Sequence, residues 1–256
     1  MRHASLSLDA IERAATLLAG ARREGRMLDG LPADARPATA ADAHAIQAAT
    51  AAQLGEAVAG WKVSPPGNGP LVRGGLLRSR VFISPARIPL ALVPLLGVEA
   101  EIAFRFDRAM PARERDYSYD EVASAVTAFP AIEVVASRFR DYAGTPLLDR
   151  AADFVSNGAF VQGAARADWR SFDLARLEAT LSIGGKEIVR RVGGHVTGDP
   201  LLPALALVND LRSGPGVAAG QLMTTGTYTG LNYAKPGQTA VAEFAGFGSV
   251  EVRFGA

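Results

Sequence analysis

Gly97-Val98-Glu99-Ala100-Glu101-Ile102-Ala103-Phe104 is the stretch whose reading decides the fold. Apolar residues alternate here with small or acidic ones, which is the period of a strand. Residues two apart on a strand share a face. Val98, Ala100, Ile102 and Phe104 therefore point one way, and Glu99 and Glu101 the other. Two neighbouring carboxylates repel, and burying either is costly unless it is compensated. A shared cation removes both costs, and an all-oxygen donor set suits a hard divalent ion such as Mg2+ or Mn2+. The competing reading leaves both glutamates in water on an exposed strand face, because glutamate is seldom buried.

Two flanking stretches bear on that choice. Downstream, Ala131-Ile132-Glu133-Val134-Val135 is an apolar strand with one carboxylate inside it. Such a glutamate needs a partner, either Arg138 or the cation proposed for Glu99 and Glu101. Upstream, Gly60-Trp61-Lys62-Val63 is a short apolar strand carrying one lysine. Burial lowers a lysine pKa and suits it to proton transfer near neutral pH. The bland alternative is a lysine snorkelling from a sheet edge. The following Ser64-Pro65-Pro66-Gly67-Asn68-Gly69-Pro70 reads as an irregular loop.

The remaining chain supplies helices first and strands later. Apolar spacing predicts one helix over residues 8–29 and a second over about 40–56, opened by the Thr39/Asp42 capping pair. Ser118 and Glu121 have capping-box spacing and open a helix through Val126, with Pro130 as its stop. A polar turn at 152–158 leads into a strand at Phe160-Val161. Residues 181–191 read as a hairpin turning at Gly184-Gly185. Asp199-Pro200 starts a helix that Gly214-Pro215-Gly216 ends, and strands follow from Leu222 onward. His44 and His195 have no metal-spaced companions and read as packing residues. The expected class is α+β, with a helical segment over 1–58 and a β-rich catalytic portion over 59–256 in one folding unit.

Composition narrows the function. The 256 residues are 48% hydrophobic, so a sizeable core is possible, and a net charge of +1 argues against nucleic acid or an acidic membrane as main partner. The absence of cysteine excludes disulfides, thiolate zinc sites and cysteine nucleophiles. The start carries no apolar signal region, and the apolar run Ile88–Val98 is broken by Pro89 and Pro94. A cytoplasmic location is the simplest expectation. Phosphate-loop, dinucleotide-loop, His-Glu-x-x-His and Gly-x-Ser-x-Gly motifs are all missing.

Taken in order, Gly60–Val63, Gly97–Phe104 and Pro130-Ala131-Ile132-Glu133-Val134-Val135-Ala136-Ser137-Arg138 resemble the 2-keto-4-pentenoate hydratases of the fumarylacetoacetate hydrolase superfamily. Ala152-Asp153, Gly198–Leu201, Leu207–Asn209, Thr225–Thr227 and Lys235–Gly237 fit the same pattern. The resemblance implies a mixed β-roll core with helices packed outside, and Mg2+ or Mn2+ held by Glu99, Glu101 and Glu133. It implies catalytic roles for Lys62 and the Asp153 loop, and substrate contacts from Ser156 and Thr227. Arg73 would meet an extra acidic group of the substrate if the short loop folds over the site. The implied activity is a metal-dependent hydratase acting on a small 2-oxo or 2-hydroxydienoic acid in a homo-oligomer. A 4-oxalocrotonate-type decarboxylase, an acylpyruvate hydrolase and a non-catalytic scaffold subunit are the alternatives. Two departures stand out: the 64–74 loop has no acidic residue, and Phe154 occupies a family amide position.

Overall fold

The computed structural model describes residues 6–64 and 71–255. The proline-rich loop expected at 65–70 and the start of the chain at 1–5 lie outside the described residues. Helix α1 spans Leu8–Glu24, shorter than its periodicity predicts, because Gly25 adopts φ 66° and caps it. Helix α2 spans Ala40–Leu54 and opens with the full Thr39/Asp42 capping box. The two helices bury Ala10, Ala14 and Leu18 with Ala43 and Ile46.

The strands form two sheets. The larger contains β1 (Val58–Ser64), β2 (Val72–Leu77), β3 (Val81–Ile83), β5 (Gly97–Phe106), β6 (Val126–Val135), β7 (Asn157–Gln162) and β10 (Leu222–Thr227). Its order is β2-β1-β10-β5-β6-β7-β3, with the short β11 (Asn232–Tyr233) also on β5. The second sheet, in the order given, joins β4 (Ala86–Ile88), β13 (Gly248–Phe254), β12 (Thr239–Phe244), β8 (Glu178–Ile183) and β9 (Lys186–Val192). Pairing is mixed: β1–β10, β3–β7 and β13–β4 are parallel, and the other pairs antiparallel.

The alternation in β5 is borne out. Val98, Ala100, Ile102 and Phe104 enter the core between the sheets, meeting Phe244, Val250, Val252 and Phe254. Each such large apolar side chain contributes about 1.5–3 kcal/mol by leaving water. The glutamate face of β5 turns away from this core, toward the helices.

Helix α3 covers only Tyr119–Ala123, and Pro130 lies inside strand β6 instead of ending a helix. The carbonyl of Pro130 accepts from Gly163, so its nitrogen also faces β7, which stops at Gln162. No ladder bond is lost there. The hairpin of β8 and β9 turns on Gly184 and Gly185, both at positive φ, as its sequence predicts. Helix α5 (Leu201–Leu211) begins after Asp199, whose side chain accepts from the Leu201 N–H at 2.8 Å.

His195 is a packing residue, with Nε2 3.1 Å from the Thr225 carbonyl oxygen and its ring against Tyr228. Burial pushes its pKa down to about 4, against the opposing pull of the Thr225 carbonyl and Asp199. A depressed folded-state pKa gives stability that is complete above the unfolded value and lost as pH falls through the folded one. Stability should therefore drop by on the order of 3 kcal/mol between pH 6.5 and pH 4 from this residue alone. Chemical denaturation across that window checks it; an equally steep acid loss in His195→Gln assigns the effect elsewhere.

Candidate metal centre

Strand register assembles the site. In the antiparallel β5–β6 pair Glu99 stands directly opposite Glu133, and Glu101 follows on the same face of β5. Thr227 of β10 pairs with Glu101, and the β10 register slips between Thr224 and Thr227, a bulge beside the carboxylates. Parallel pairing of β1 with β10 sets Lys62 beside Thr224. One carboxylate oxygen from each of Glu99, Glu101 and Glu133 lies within 4.8 Å of the others.

Glu101 and Glu133 are buried, and Glu99 is half-buried. Lys62 Nζ lies 2.8 Å from Glu133 Oε1 and 3.8 Å from Glu99 Oε2. Asn157 Nδ2 donates to the same Glu133 oxygen at 3.1 Å. Glu101 Oε2 accepts from the Thr224 hydroxyl and, at 3.1 Å, from the Gly226 N–H. The partner of Glu133 is thus Lys62 and not Arg138, which is buried beside Asp153 and donates its N–H to that carboxylate.

Three carboxylates against one ammonium leave an excess of two negative charges when all are ionised. Burial, then Glu133 and Glu99, push the Glu101 carboxyl up to about 8, with Lys62 and Thr224 pulling against them. Burial also raises Glu133, opposed by Lys62. For Lys62, burial acts downward, but Glu133, Glu99 and Glu101 outweigh it and raise its pKa. This is the opposite of the depression expected for a lysine in an apolar strand with a cation present. Glu133 Oε2 is buried without a hydrogen-bond partner. An orphaned carboxylate oxygen, an all-oxygen donor set and a charge deficit of two fit a hard divalent cation.

A cavity of about 260 Å³ opens over this cluster and brings together Lys62, Glu99, Glu101, Ser156 and Thr227. Leu147, Val155 and Val196 supply apolar wall, and Tyr142 and Arg150 complete the lining. A wider groove of about 620 Å³ lies elsewhere, between Tyr119 and Trp169. There Tyr119 already donates to Asp199, so the groove has no comparable set of unsatisfied groups.

Ser156 and Val155 reach the cavity from a turn in which Phe154, Val155 and Ser156 all have φ between 52° and 58°. Left-handed backbone costs a residue other than glycine roughly 1–2 kcal/mol, so the surroundings must enforce it. Gly74 does so: a Cβ there would stand 2.3 Å from the Phe154 carbonyl oxygen. Gln47 bonds the Arg73 and Ala151 carbonyls and the Gly75 N–H around the same place.

Three sequence-stretch expectations are corrected here. Asp153 does not line the cavity: it is buried, paired with Arg22 at 2.6 Å, and anchors the strained turn. Arg73 belongs to β2 and not to a loop; it pairs with Asp210 at 3.0 Å and lies over the Trp61 ring on the opposite face. Phe154 packs toward Trp61, His44 and Gly75, so the lost amide does not alter the carboxylate cavity. Trp61 faces away from the site, as its strand position predicts. Asn157, Thr224 and Arg150 were not foreseen; the polar turn at Asn157 and the Thr-Thr-Gly bulge were the available signals.

The comparisons agree with this geometry. The fumarylacetoacetate hydrolase C-terminal family matches residues 77–254. A 2-keto-4-pentenoate hydratase of Paraburkholderia phymatum is 32% identical over 182 residues, which are 71% of this chain and 69% of the relative. A 4-oxalocrotonate decarboxylase of a Pseudomonas species is 27% identical over 193 residues, 74% of this chain and 72% of the relative. Among solved structures, 4-oxalocrotonate decarboxylase from Pseudomonas putida G7, complexed with magnesium and adipate, superposes with a TM-score of 0.82 at 21% identity. That match covers 98% of this chain and 100% of the other. With a family match over most of the strands and three carboxylates gathered on β5 and β6, the chain belongs to the fumarylacetoacetate hydrolase C-terminal family.

Proposed function

We propose that this protein is a divalent-metal-dependent lyase of the hydratase type, acting on a small 2-oxo or 2-hydroxydienoic acid. The observation that carries the reading is the convergence of Glu99, Glu101, Glu133 and Lys62 at one cavity. A non-catalytic scaffold has no use for buried, mutually repelling carboxylates. Glu99, Glu101 and Glu133 would hold the cation, Mg2+ or Mn2+. When bound, the cation supplies positive charge for a 2-oxo carboxylate and for the negative charge developing on its 2-oxo oxygen.

The chain's own residues do the rest. Lys62 Nζ carries the proton to and from the substrate carbon, held in place by Glu133 Oε1. The Ser156 hydroxyl, buried without a hydrogen-bond partner, is free to bind substrate. The Thr227 hydroxyl lines the cavity beside Glu101. Leu147, Val155 and Val196 exclude water from the reacting carbons.

A spectrophotometric screen of 2-oxo acids with Mg2+ and with EDTA tests the reading. Metal-dependent loss of dienol absorbance without CO2 release supports hydration. CO2 release makes the protein a decarboxylase on the same site, and two products of carbon–carbon cleavage make it a hydrolase. No metal-dependent turnover of any 2-oxo acid overturns it.

No helix among the described residues is long and apolar enough to cross a membrane. The reading places the enzyme in the cytoplasm as a homo-oligomer. Ile188 and Val192 are 45% and 64% exposed on β9, an edge strand of the second sheet. Unpaired edges with apolar side chains are surfaces that proteins cover. Light scattering at micromolar concentration should give a multiple of 26.7 kDa; a monomeric mass counts against the assembly.

A further inference from the structure

We infer that Arg150 is a specificity-determining residue that binds a second carboxylate at the far end of the substrate, so that the preferred ligand is a 2-oxo diacid. The inference rests on the metal-site reading above. Arg150 lines the same cavity as Lys62, Glu99 and Glu101. Its Nε is buried and has no hydrogen-bond partner. The neighbouring carboxylate, Asp149, is already held by Arg36 at 2.8 Å and cannot serve. Among the described residues no carboxylate forms an ion pair with Arg150.

A buried guanidinium nitrogen left unbonded costs free energy that a ligand anion recovers. Arginine is also suited to the task, since its planar fork matches a carboxylate with two parallel hydrogen bonds. Helix α4, Leu147–Ala152, positions the side chain, and the Tyr142 ring lies 5.4 Å from its guanidinium carbon. The lining thus combines a carboxylate cluster suited to a cation, apolar wall from Leu147, Val155 and Val196, and one unpaired arginine. That sequence of environments fits a 2-oxo acid group, a short carbon chain and a terminal anion. A monoacid would satisfy the first two and leave Arg150 unbonded.

Two unreactive acids of equal chain length isolate the distal charge: 2-oxoadipate and 2-oxohexanoate. Their dissociation constants are measured by calorimetry with Mg2+ present, in the natural protein and in Arg150→Gln and Arg150→Lys. The natural protein should prefer the diacid by about 10- to 100-fold, the worth of one charge-assisted hydrogen-bonded pair. Arg150→Gln should bring that ratio close to one, and Arg150→Lys should keep part of it by charge alone. Mn2+ affinity and the melting temperature of each variant establish that the site is intact. Equal affinity for the two acids in the natural protein overturns the inference while leaving the metal-site reading standing. A preference retained in Arg150→Gln overturns it too. If both acids weaken equally in that variant, Arg150 contacts the 2-oxo acid group itself and the distal assignment is wrong. If neither acid binds in a Mg2+-dependent way, the metal-site reading fails and the inference fails with it.

Discussion

Glu101→Gln should weaken Mn2+ binding by at least about 100-fold, since changing even an outer partner of a metal ligand typically costs 10- to 100-fold, and should make the metal-free protein more stable. Both effects follow from one cause. Glu101 is buried on β5 with Glu99 on the same face and Glu133 on the adjoining strand. Burial and those two carboxylates push its carboxyl up to about 8. A raised folded-state pKa means that its stabilising contribution is complete below the unfolded value and is lost as pH rises through about 8. In EDTA, stability should therefore fall as pH climbs from about 5 to 8, and the neutral glutamine should remove that slope. In excess Mn2+ the order reverses: binding expels the proton, so metal affinity should grow with pH in the natural protein. Thr224 and Gly226 can still donate to the side-chain oxygen of glutamine, so the fold around residue 101 survives. Calorimetric titration with Mn2+, paired with melts in EDTA, checks both halves. Unchanged Mn2+ affinity in the variant sinks the three-carboxylate site.

The legible parts of this site were those written in local period. Glu99 and Glu101 interrupt an alternating apolar strand, and Glu133 interrupts a continuous one, so each announces a need for compensation within its own few residues. That Glu99 stands opposite Glu133 depends on a pairing between distant segments, which periodicity does not encode. The importance of Lys62 rested on family resemblance, because a single lysine in a short strand reads equally well as a snorkelling edge residue. Arg73 was misplaced because Gly74-Gly75 looks like a turn. In the fold Gly74 instead clears space for the strained 154–156 turn to pack on β2. Pro130 was misread for a similar reason: proline stops helices, but at the point where a neighbouring strand ends it costs a sheet nothing. Arg150 was invisible because only the short α4 and a left-handed turn turn it inward, and neither has a sequence period.

Lys62→Met should lower kcat by about 10²–10⁴, the usual worth of a positioned proton-transfer group, while Mn2+ binding persists. Lys62 is the one ammonium at the cavity, 14% exposed, with Nζ bonded to Glu133 Oε1. Its strand neighbour Trp61 faces the other way, so the lysine alone represents β1 at the site. No acidic side chain apart from the three metal-site glutamates and no histidine lines the cavity, and Asp153 is committed to Arg22. The proton must then pass through Lys62 or through water. Methionine keeps the length of the side chain and removes both charge and proton, so it does not by itself separate the two contributions. Lys62→Arg does. A guanidinium keeps the positive charge beside Glu133 but stays protonated at any working pH. If Lys62 moves a proton, kcat should stay low in both variants. If arginine restores near-normal kcat, the charge alone is sufficient, the proton-transfer role is wrong, and water must carry the proton.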